Sequence, residues 1–208
     1  MSEPRSGTAI ERYYKFHARI YDATRWSFLF GRTAILRKAV AAGARPTRIL
    51  EVGCGTGKNL ANLCRHFPEA SITGLDLSEA MLNISRRKVA RWGDRVQLVQ
   101  RAYDAPISAE KPFDFILCSY ALTMFNPGFD VAIDAAYADL APGGHIAVVD
   151  FHNTPFRWFA RWMGVNHVRM EAQLQPKLES LFMPVVNQVA RAYLGVWRYL
   201  FFVGKKEK

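Results

Sequence analysis

Three glycines lie within five residues in the segment "ILEVGCGTGKN", which covers residues 49–59. Gly53, Gly55 and Gly57 allow the backbone to adopt positive φ angles and to pass close to a ligand. A dinucleotide-binding turn has the spacing G-x-G-x-x-G, and here the third glycine comes one residue early. A P-loop has Ser or Thr after its lysine, where this chain has Asn59. The segment therefore predicts a small-molecule site of another kind.

Three acidic residues lie near the ends of predicted strands around this turn. Glu51 comes two residues before the first glycine, Asp76 ends the second strand, and Asp104 follows the third strand in "RAYDAP". A carboxylate after the second strand is placed to accept hydrogen bonds from both ribose hydroxyls, and one after the third from the exocyclic adenine amine. Each acid alone could equally be a helix cap or a surface charge. Together they predict a site for an adenosine without a pyrophosphate.

The elements that must position these residues form an alternating pattern from residue 47 onward. Strict alternation of strand and helix predicts a parallel sheet with helices on both faces, which is an α/β fold. The tail over 184–206 has two strand-like runs around "LG", which predict an antiparallel hairpin at one edge of the sheet. The predicted strands are 47–52, 71–77, 95–100, 113–119 and 144–151, and the predicted helices are 57–67, 78–93 and 128–140.

The order of these motifs resembles that of the class I S-adenosylmethionine-dependent methyltransferases. The segments "EVGCGTG", "GLDLSEAML", "YDAP" and "APGG" follow the family's order over residues 47–151. The resemblance implies a Rossmann-like, mostly parallel seven-stranded sheet, with S-adenosylmethionine as cofactor and S-adenosylhomocysteine as product. It also implies that Asp76 holds the ribose and that the glycine turn runs beside the methionine moiety. The predicted cofactor-binding residues are Glu51, Gly53, Cys54, Gly55, Thr56, Gly57, Asn59, Asp76, Leu77, Met81, Asp104, Ala105 and Ser119.

Composition favours one catalytic domain in a reducing compartment. The chain has 208 residues, of which 50% are apolar, and this suffices for one sizeable core. Its three cysteines have no zinc-type or CxxC spacing, so we predict neither a metal site nor a disulfide. The N-terminal segment has no apolar signal region, and the longest apolar stretch is about half the roughly 20 residues of a spanning helix. We therefore expect a protein that is neither exported nor integral to a membrane.

The net charge of +10 is concentrated in the two flanks of the chain. Residues 1–48 carry +7, residues 49–152 carry −3, and residues 153–208 carry +6. This asymmetry predicts that the flanks, rather than the central fold, meet a polyanionic surface, although it could also serve solubility alone. We expect a cytoplasmic protein that associates peripherally with the inner face of the cytoplasmic membrane.

The N-terminal flank contains a basic amphipathic helix, predicted over residues 10–24, with an aromatic face. It could simply pack on the sheet. Alternatively, Tyr14 and Tyr21 help to cap the cofactor site while the basic face meets anionic lipid. We assign residues 1–46 to this helical extension, as a cofactor lid that faces the membrane, and residues 47–208 to the methyltransferase domain.

A second segment, "NTPFRWFARWMG" over residues 153–164, mixes aromatic residues with Arg157 and Arg161. Such a mixture suits a lipid headgroup boundary, because rings enter the apolar layer while guanidinium groups stay with phosphates. It could also be a lid helix that only packs, or a surface on which nucleic-acid bases stack. We expect an interfacial insertion at about 153–183.

A narrower resemblance extends over most of the chain. The segments "YYKFHARIYDATRWSFLFGR", "SYALTMF", "VVDFHN", "NHVRMEAQLQPKLESLF" and "VWRYLFFVGKK" are similar to the bacterial diacylglyceryl-homoserine N-methyltransferase of betaine lipid synthesis. The resemblance implies three successive methylations that yield diacylglyceryl-N,N,N-trimethylhomoserine. The phosphatidylethanolamine N-methyltransferases are the nearest alternative.

Two further classes are weighed against this reading. An RNA methyltransferase could use the same basic flanks, but "SYAL" over 119–122 is not the Asn/Asp-Pro-Pro-Tyr-like motif of many RNA amine methyltransferases. A cofactor-binding protein without catalysis has no positive support, because the cofactor motifs are intact. We therefore expect a lipid substrate and an anionic membrane surface as partners, and no nucleic acid.

The implied chemistry is an in-line attack of a neutral amine on the sulfonium methyl group, in which alignment contributes about 7–11 kcal/mol. Tyr21, Tyr120 or His152 could accept the amine proton. Rings would stabilise the quaternary product through cation–π contacts of about 0.5–2 kcal/mol, and an arginine would bind the homoserine carboxylate. The catalytic and substrate-binding candidates are Tyr14, Tyr21, Tyr120, His152 and Arg169, with Arg25 as the second choice for the carboxylate.

Overall fold

The computed structural model describes residues 28–108, 111–125, 127–165 and 167–207. The helix predicted over 10–24, with Tyr14 and Tyr21, lies outside the described residues, as does Arg25. No described helix has both the length and the apolar character to cross a membrane.

Seven strands form one mixed sheet in the order β3-β2-β1-β4-β5-β7-β6. The first five strands pair in parallel, and β7 pairs antiparallel with both β5 and β6. The α/β, Rossmann-like fold with a C-terminal antiparallel hairpin is therefore confirmed. The strands are β1 Arg48–Val52, β2 Ser71–Asp76, β3 Val96–Gln100, β4 Phe113–Ser119, β5 Leu140–Phe151, β6 Met183–Ala192 and β7 Trp197–Lys205.

Six α-helices connect or cover these strands in the described part of the chain. They are α1 Arg32–Ala41, α2 Lys58–His66, α3 Glu79–Val89, α4 Phe129–Asp139, α5 Arg157–Val165 and α6 Leu174–Leu181. The helix predicted over 78–93 ends at Val89 and continues as a 3-10 turn, in which Gly93 has a φ of 54°. Strand β5 begins four residues before its predicted start, because the "APGG" segment is part of the strand. The pairing register with β4 shifts there, since Phe113 pairs with Leu140 and Phe115 pairs with His145.

The core has two halves because successive residues of a strand point to opposite faces of the sheet. In β1, Ile49 belongs to the half that is covered by α1, α2 and α3, whereas Leu50 belongs to the half covered by α4 and α6. All of these helices bury apolar side chains against the central strands. A fully buried Leu or Ile contributes roughly 1.5–3 kcal/mol, so the sheet is a rigid platform for the loops at its edges.

The carboxyl ends of the parallel strands meet at one edge of the sheet, which we call the carboxyl edge. The hairpin turn between β6 and β7 lies at the same edge, because β6 runs parallel to β5. Phe151 at the end of β5 is opposite Tyr199, two residues from the Trp197 that starts β7. The predicted site and the hairpin turn are therefore on the same side of the molecule.

Candidate active site

The glycine turn follows β1 with positive φ angles of 66° at Gly53, 53° at Gly55 and 75° at Gly57. A Cβ atom at Gly53 would lie 2.7 Å from the Cβ atom of Ala121, and one at Gly57 would collide with the Ser85 side chain. Among the described residues, and apart from its own chain neighbours, no heavy atom lies within 4 Å of the Cβ position at Gly55. The turn thus packs closely on two sides and is open on the third, where a ligand can approach its backbone.

Asp76, at the end of β2, holds this turn and faces the same opening. One carboxylate oxygen accepts the N–H of Gly55 at 2.8 Å, and the other accepts the N–H of Ser78 at 2.9 Å. A carboxylate has about four acceptor positions, so two remain available for hydroxyl groups. The Ser78 hydroxyl then caps α3 by accepting the N–H of Met81. The predicted ribose-binding residue is therefore oriented by backbone contacts on both sides.

The loop that carries Asp104 is fixed by Asp139, which ends α4 and is fully buried. The Asp139 carboxylate accepts the Tyr103 hydroxyl at 2.8 Å and the N–H groups of Ile107 and Ser108 at 2.8–3.0 Å. Hydrogen bonds to a charged group are stronger than neutral ones, at about 1.5–3 kcal/mol each. This one carboxylate thus sets the position of the loop after β3. Sequence reasoning did not identify it.

A cavity of about 640 Å³ lies between these elements at the carboxyl edge. This volume is typical of small-molecule sites, which occupy roughly 300–1,000 Å³. Leu77 and Val131 line the cavity and are 70% and 44% exposed, so the described part of the chain leaves two large apolar side chains largely uncovered there. The predicted residues in its lining are Gly53, Gly55, Thr56, Asp76, Leu77, Met81, Asp104, Ser119 and Tyr120.

The other predicted cofactor residues lie behind or beside this lining. Cys54, Gly57 and Asn59 are buried in or under the glycine turn, and burial raises the pKa of the Cys54 thiol far above its ordinary value. Ala105 is exposed next to Asp104. These residues shape the turn and its neighbouring loop, and their direct contact with a cofactor stays a prediction.

Glu51 is fully buried beneath the turn, and burial raises its pKa to about 8. The Asn59 side chain donates a hydrogen bond to the carboxyl group, and the charge of Arg32 acts in the same direction, so both oppose the rise. The Oε2 atom of Glu51 has no hydrogen-bond partner among the described residues. A buried acceptor in this state favours a positively charged or hydrogen-bonding group nearby.

Arg32, the first residue of α1, is a cavity residue that sequence reasoning missed. Its Nε atom donates a hydrogen bond of 3.4 Å to the Ser119 hydroxyl, and its side chain lines the cavity. An arginine on a cavity wall is suited to bind a carboxylate. In the sequence Arg32 is one of ten basic residues in the first flank, and nothing in its neighbours marks it out.

Tyr120 follows β4 in a left-handed conformation with a φ of 55°. Its hydroxyl donates a hydrogen bond of 2.7 Å to the carbonyl oxygen of Phe30, and its ring contacts Phe151 edge-on at 4.8 Å. Burial, together with the negative charge of Asp150, raises the pKa of this phenol well above its ordinary value. The geometry supports Tyr120 as a ring in the cavity wall, whereas a phenol that is already donating a hydrogen bond is poorly suited to accept a proton.

Asp150, near the end of β5, fixes the loop that follows β4. Its fully buried carboxylate accepts the N–H groups of Leu122, Thr123 and Phe151 and the Thr123 hydroxyl. Burial raises the pKa of Asp150 to about 6, against the opposing effect of these hydrogen bonds. A lone acid in the apolar strand "IAVVDF" is a signal that could have identified it, because unpaired acids are almost never fully buried.

His152 and Arg169 are near the carboxyl edge but do not line the cavity. The His152 N–H donates to the Arg198 carbonyl, and burial together with the charge of Arg198 lowers the pKa of its ring. Arg169 is exposed, and its backbone N–H donates to the carbonyl of Thr123 at 3.2 Å. Their predicted roles with the substrate stay predictions.

Comparison with known proteins places this geometry in context. Residues 49–144 match a family model described as a methyltransferase domain. The chain is 36% identical over 109 residues to a malonyl-(acyl-carrier protein) O-methyltransferase of Priestia megaterium, a match that covers 52% of this chain and 38% of that protein. The chain thus spans less than half the length of this relative.

A second relative and one solved structure of similar fold cover more of the chain. A demethylmenaquinone methyltransferase of Thermus thermophilus is 31% identical over 166 residues, which are 79% of this chain and 70% of that protein. The crystal structure of the N-methyltransferase NodS from Bradyrhizobium japonicum, in complex with S-adenosyl-L-homocysteine, superimposes on this chain with a TM-score of 0.71 at 20% sequence identity. The superposition includes 85% of this chain and 86% of the NodS chain. The latter likeness concerns the fold.

Proposed function

This chain belongs to the class I S-adenosylmethionine-dependent methyltransferases, and we propose that it methylates the headgroup amine of a membrane lipid. Its cofactor is S-adenosylmethionine, as the sequence predicts. The transfer to an amine, and the lipid that carries that amine, are argued below from the cavity and from the surface beside it.

The cavity residues fit the cofactor. Asp76 retains acceptor positions for two ribose hydroxyls, Leu77 offers an uncovered apolar side chain for a base, and the turn at Gly55 is open to a ligand. The charged amino acid end would lie beside the glycine turn, under which the Glu51 carboxyl is buried. When bound, S-adenosylmethionine supplies an electrophilic methyl group on a sulfonium.

The lining favours an acceptor that needs no strong base. Its ionisable groups within the described residues are Arg32, Asp76, Arg101, Tyr103, Asp104 and Tyr120. Asp76 is held by backbone N–H groups, and burial raises the pKa values of both tyrosines far above their ordinary value. An ammonium group can lose its proton to water before the attack, and the neutral amine then carries the nucleophilic lone pair, whereas a hydroxyl must lose its proton to a base as it attacks. An amine is therefore the acceptor that this cavity suits best.

The observation that carries the lipid assignment is an exposed aromatic surface next to the cavity. Leu29 lines the cavity, while its neighbour Phe28 contacts Trp162 of α5 at 6.0 Å between ring centroids. On α5, Trp158 and Trp162 are 66% and 49% exposed. An acceptor that rests in a lipid layer at this surface could enter the cavity without crossing water. Aromatic rings beside arginines suit such a boundary.

The headgroup we propose is that of diacylglyceryl homoserine, methylated three times to the betaine lipid diacylglyceryl-N,N,N-trimethylhomoserine. This headgroup pairs an amine with a carboxylate, which Arg32 or Arg101 in the lining, or Arg169 near the mouth, can bind. Tyr120 and Phe125 supply rings for the cationic product. The protein would act on the inner face of the cytoplasmic membrane as a peripheral protein, with residues 1–46 as a lid on the domain formed by residues 47–208.

The test is methyl transfer from labelled S-adenosylmethionine to vesicles that contain either diacylglyceryl homoserine or phosphatidylethanolamine. We expect label mainly in mono-, di- and trimethylated homoserine lipid. Label mainly in methylated phosphatidylethanolamine would reject the betaine-lipid assignment but keep the lipid class. Label in added transfer RNA, with none in either lipid, would reject the lipid class.

A further inference from the structure

We infer that the turn of the β6–β7 hairpin, residues Tyr193–Gly195, inserts into an anionic phospholipid bilayer and docks the protein there. We call these residues the hairpin tip. The inference rests on the proposed function, because it identifies the surface through which a lipid acceptor would be reached.

The conformation of the hairpin tip is unfavourable for a loop in water. Leu194 is 108% exposed and has a φ of 57°, and Tyr193 is 51% exposed with a φ of 45°. A left-handed conformation is disfavoured for a residue other than glycine, and Asn or Gly normally occupies such positions. A fully exposed leucine held in this strained conformation is therefore a candidate for contact with a partner outside the protein.

Hydrogen bonds and ring contacts fix the position of the hairpin tip. The Val196 N–H donates to the Tyr193 carbonyl at 3.2 Å, and the Thr154 hydroxyl donates to the Val196 carbonyl at 2.6 Å. The ring of Trp197 packs against Tyr193 at 4.9 Å and stacks on Phe159 of α5 at 5.3 Å. The tip and α5 are therefore joined through a packed aromatic layer.

The hairpin tip and the exposed rings of α5 share one surface. Phe28 contacts both Trp162 and Tyr193, with ring centroids at 6.0 and 6.5 Å. Phe30 also meets the Tyr193 ring edge-on at 5.3 Å. Leu29, which lies between Phe28 and Phe30 in the sequence, lines the cavity. Insertion of this surface would therefore bring the cavity to the level of the lipid headgroups.

Charge selects an anionic bilayer as the occupant of this surface. Residues 151–170 and 180–206 contain no Asp or Glu, while Arg157, Arg161 and Arg191 are exposed around the aromatic layer. Each such residue near an anionic membrane adds a favourable electrostatic contribution to binding. A second copy of the chain, docked through the same surface, would instead bring these arginines against their own equivalents.

A fluorescent label at the hairpin tip tests the inference. The three native cysteines are buried, so Leu194→Cys introduces an accessible thiol in the full-length protein. Val185→Cys is the matched control. Val185 is an exposed apolar residue near the start of β6, at the end of the strand that lies away from the carboxyl edge and the hairpin tip. With anionic vesicles whose acyl chains carry bromine, we expect strong quenching of a label at residue 194 and none at residue 185.

A second variant separates insertion from folding. Asn tolerates the left-handed conformation, so Leu194→Asn should fold at least as well as the parent protein while its affinity for anionic vesicles falls about tenfold. Unchanged vesicle affinity in Leu194→Asn, equal quenching at both labels, or a label at residue 194 that is already buried in buffer would overturn the inference. Because binding is measured without an acceptor, quenching at residue 194 with no lipid methylation would support insertion and reject only the proposed reaction.

Discussion

The Tyr120 hydroxyl and the Phe30 carbonyl oxygen are joined by a hydrogen bond of 2.7 Å across 90 residues of sequence. Tyr120 belongs to the loop that forms the cavity wall after β4, and Phe30 belongs to the aromatic surface next to the hairpin tip. This contact therefore connects the cofactor cavity directly to the surface that we propose as the membrane contact.

We expect Tyr120→Phe to lower the free energy of unfolding by about 1–2 kcal/mol, because the Phe30 carbonyl loses its donor in a partly buried position. The ring remains, so the rate of methyl transfer at saturating substrate should change less than threefold. Chemical denaturation measures the free energy of unfolding, and turnover recorded as a function of pH measures the rate of methyl transfer. Tyr137→Phe, at a ring that packs on Phe182, is the control. If the parent protein shows a rise of turnover with increasing pH and Tyr120→Phe loses that rise, the predicted role of Tyr120 as proton acceptor would be restored.

Asp76→Ala should weaken the binding of S-adenosylmethionine by roughly 2–3 kcal/mol, which is the scale for loss of hydrogen bonds to a charged group. The variant also releases the N–H groups of Gly55 and Ser78, so the glycine turn loses a fixed contact. Calorimetric titration measures the affinity, and Asp94→Ala, at an exposed acid outside the cavity, is the control. Parent-like affinity in a folded Asp76→Ala protein would contradict the assignment of the cavity.

Glu51 should make stability depend on pH. Its folded pKa of about 8 lies above the ordinary value of 4.5 because of burial. The folded state thus binds the proton more tightly than the unfolded state, so this contribution is fully present below pH 4.5 and is lost as pH rises to about 8. Glu51→Gln should remove a decline of roughly 4 kcal/mol from the unfolding free energy over that window. The exposed Glu69→Gln should leave the decline intact, and identical slopes in both variants would contradict the expectation.

Asp139→Ala should lower stability and cofactor affinity together, because the loop with Asp104 loses its anchor. Removal of a buried carboxylate that accepts hydrogen bonds from Tyr103, Ile107 and Ser108 costs about 3–5 kcal/mol. Thermal unfolding and calorimetric titration measure the two effects. Asp134→Ala on the same helix removes an exposed ion pair with Lys177 and should cost about 1 kcal/mol or less. An undiminished cofactor affinity in Asp139→Ala would show that the loop does not contribute to the site.

Arg32→Ala should reduce methyl transfer more than Arg169→Ala, because Arg32 lines the cavity and Arg169 does not. We expect a loss of tenfold or more in kcat/KM for Arg32→Ala, since a bound carboxylate would lose a charge-assisted partner. The exposed Arg37→Ala on the same helix is the control. A larger loss in Arg169→Ala would return the carboxylate-binding role to the residue predicted from the sequence.

Sequence patterns predicted the parts of this site that depend on neighbouring residues. Gly53, Gly55 and Gly57 lie in one turn whose positive φ angles only glycine adopts readily. Asp76 follows directly from the end of a strand, so its position at the carboxyl edge comes with the fold. The strands themselves were predictable because each is a short apolar run bounded by turns.

The site residues that the sequence did not predict are positioned by contacts between distant parts of the chain. Arg32 reaches Ser119 across 87 residues, and Asp139 reaches Tyr103 across 36. Conversely, His152 lies past the end of β5 as expected, but its backbone pairs with Arg198 and its side chain does not reach the cavity lining. Strand order predicts which residues come to one edge, whereas side-chain direction depends on packing that a pattern does not contain.

Strand β6 forms the outer edge of the sheet and carries the exposed apolar residues Met183, Val185 and Val189. An open edge of this kind is a template on which strands of other molecules can assemble into aggregates. Pro184 has no N–H group, and the pairing register breaks between Pro184 and Val186, so the amino end of β6 is not a regular template. Lys38 also reaches the edge strand through a hydrogen bond to Gln188. The protein can therefore keep apolar side chains on its outermost strand with a reduced tendency to polymerise through that edge.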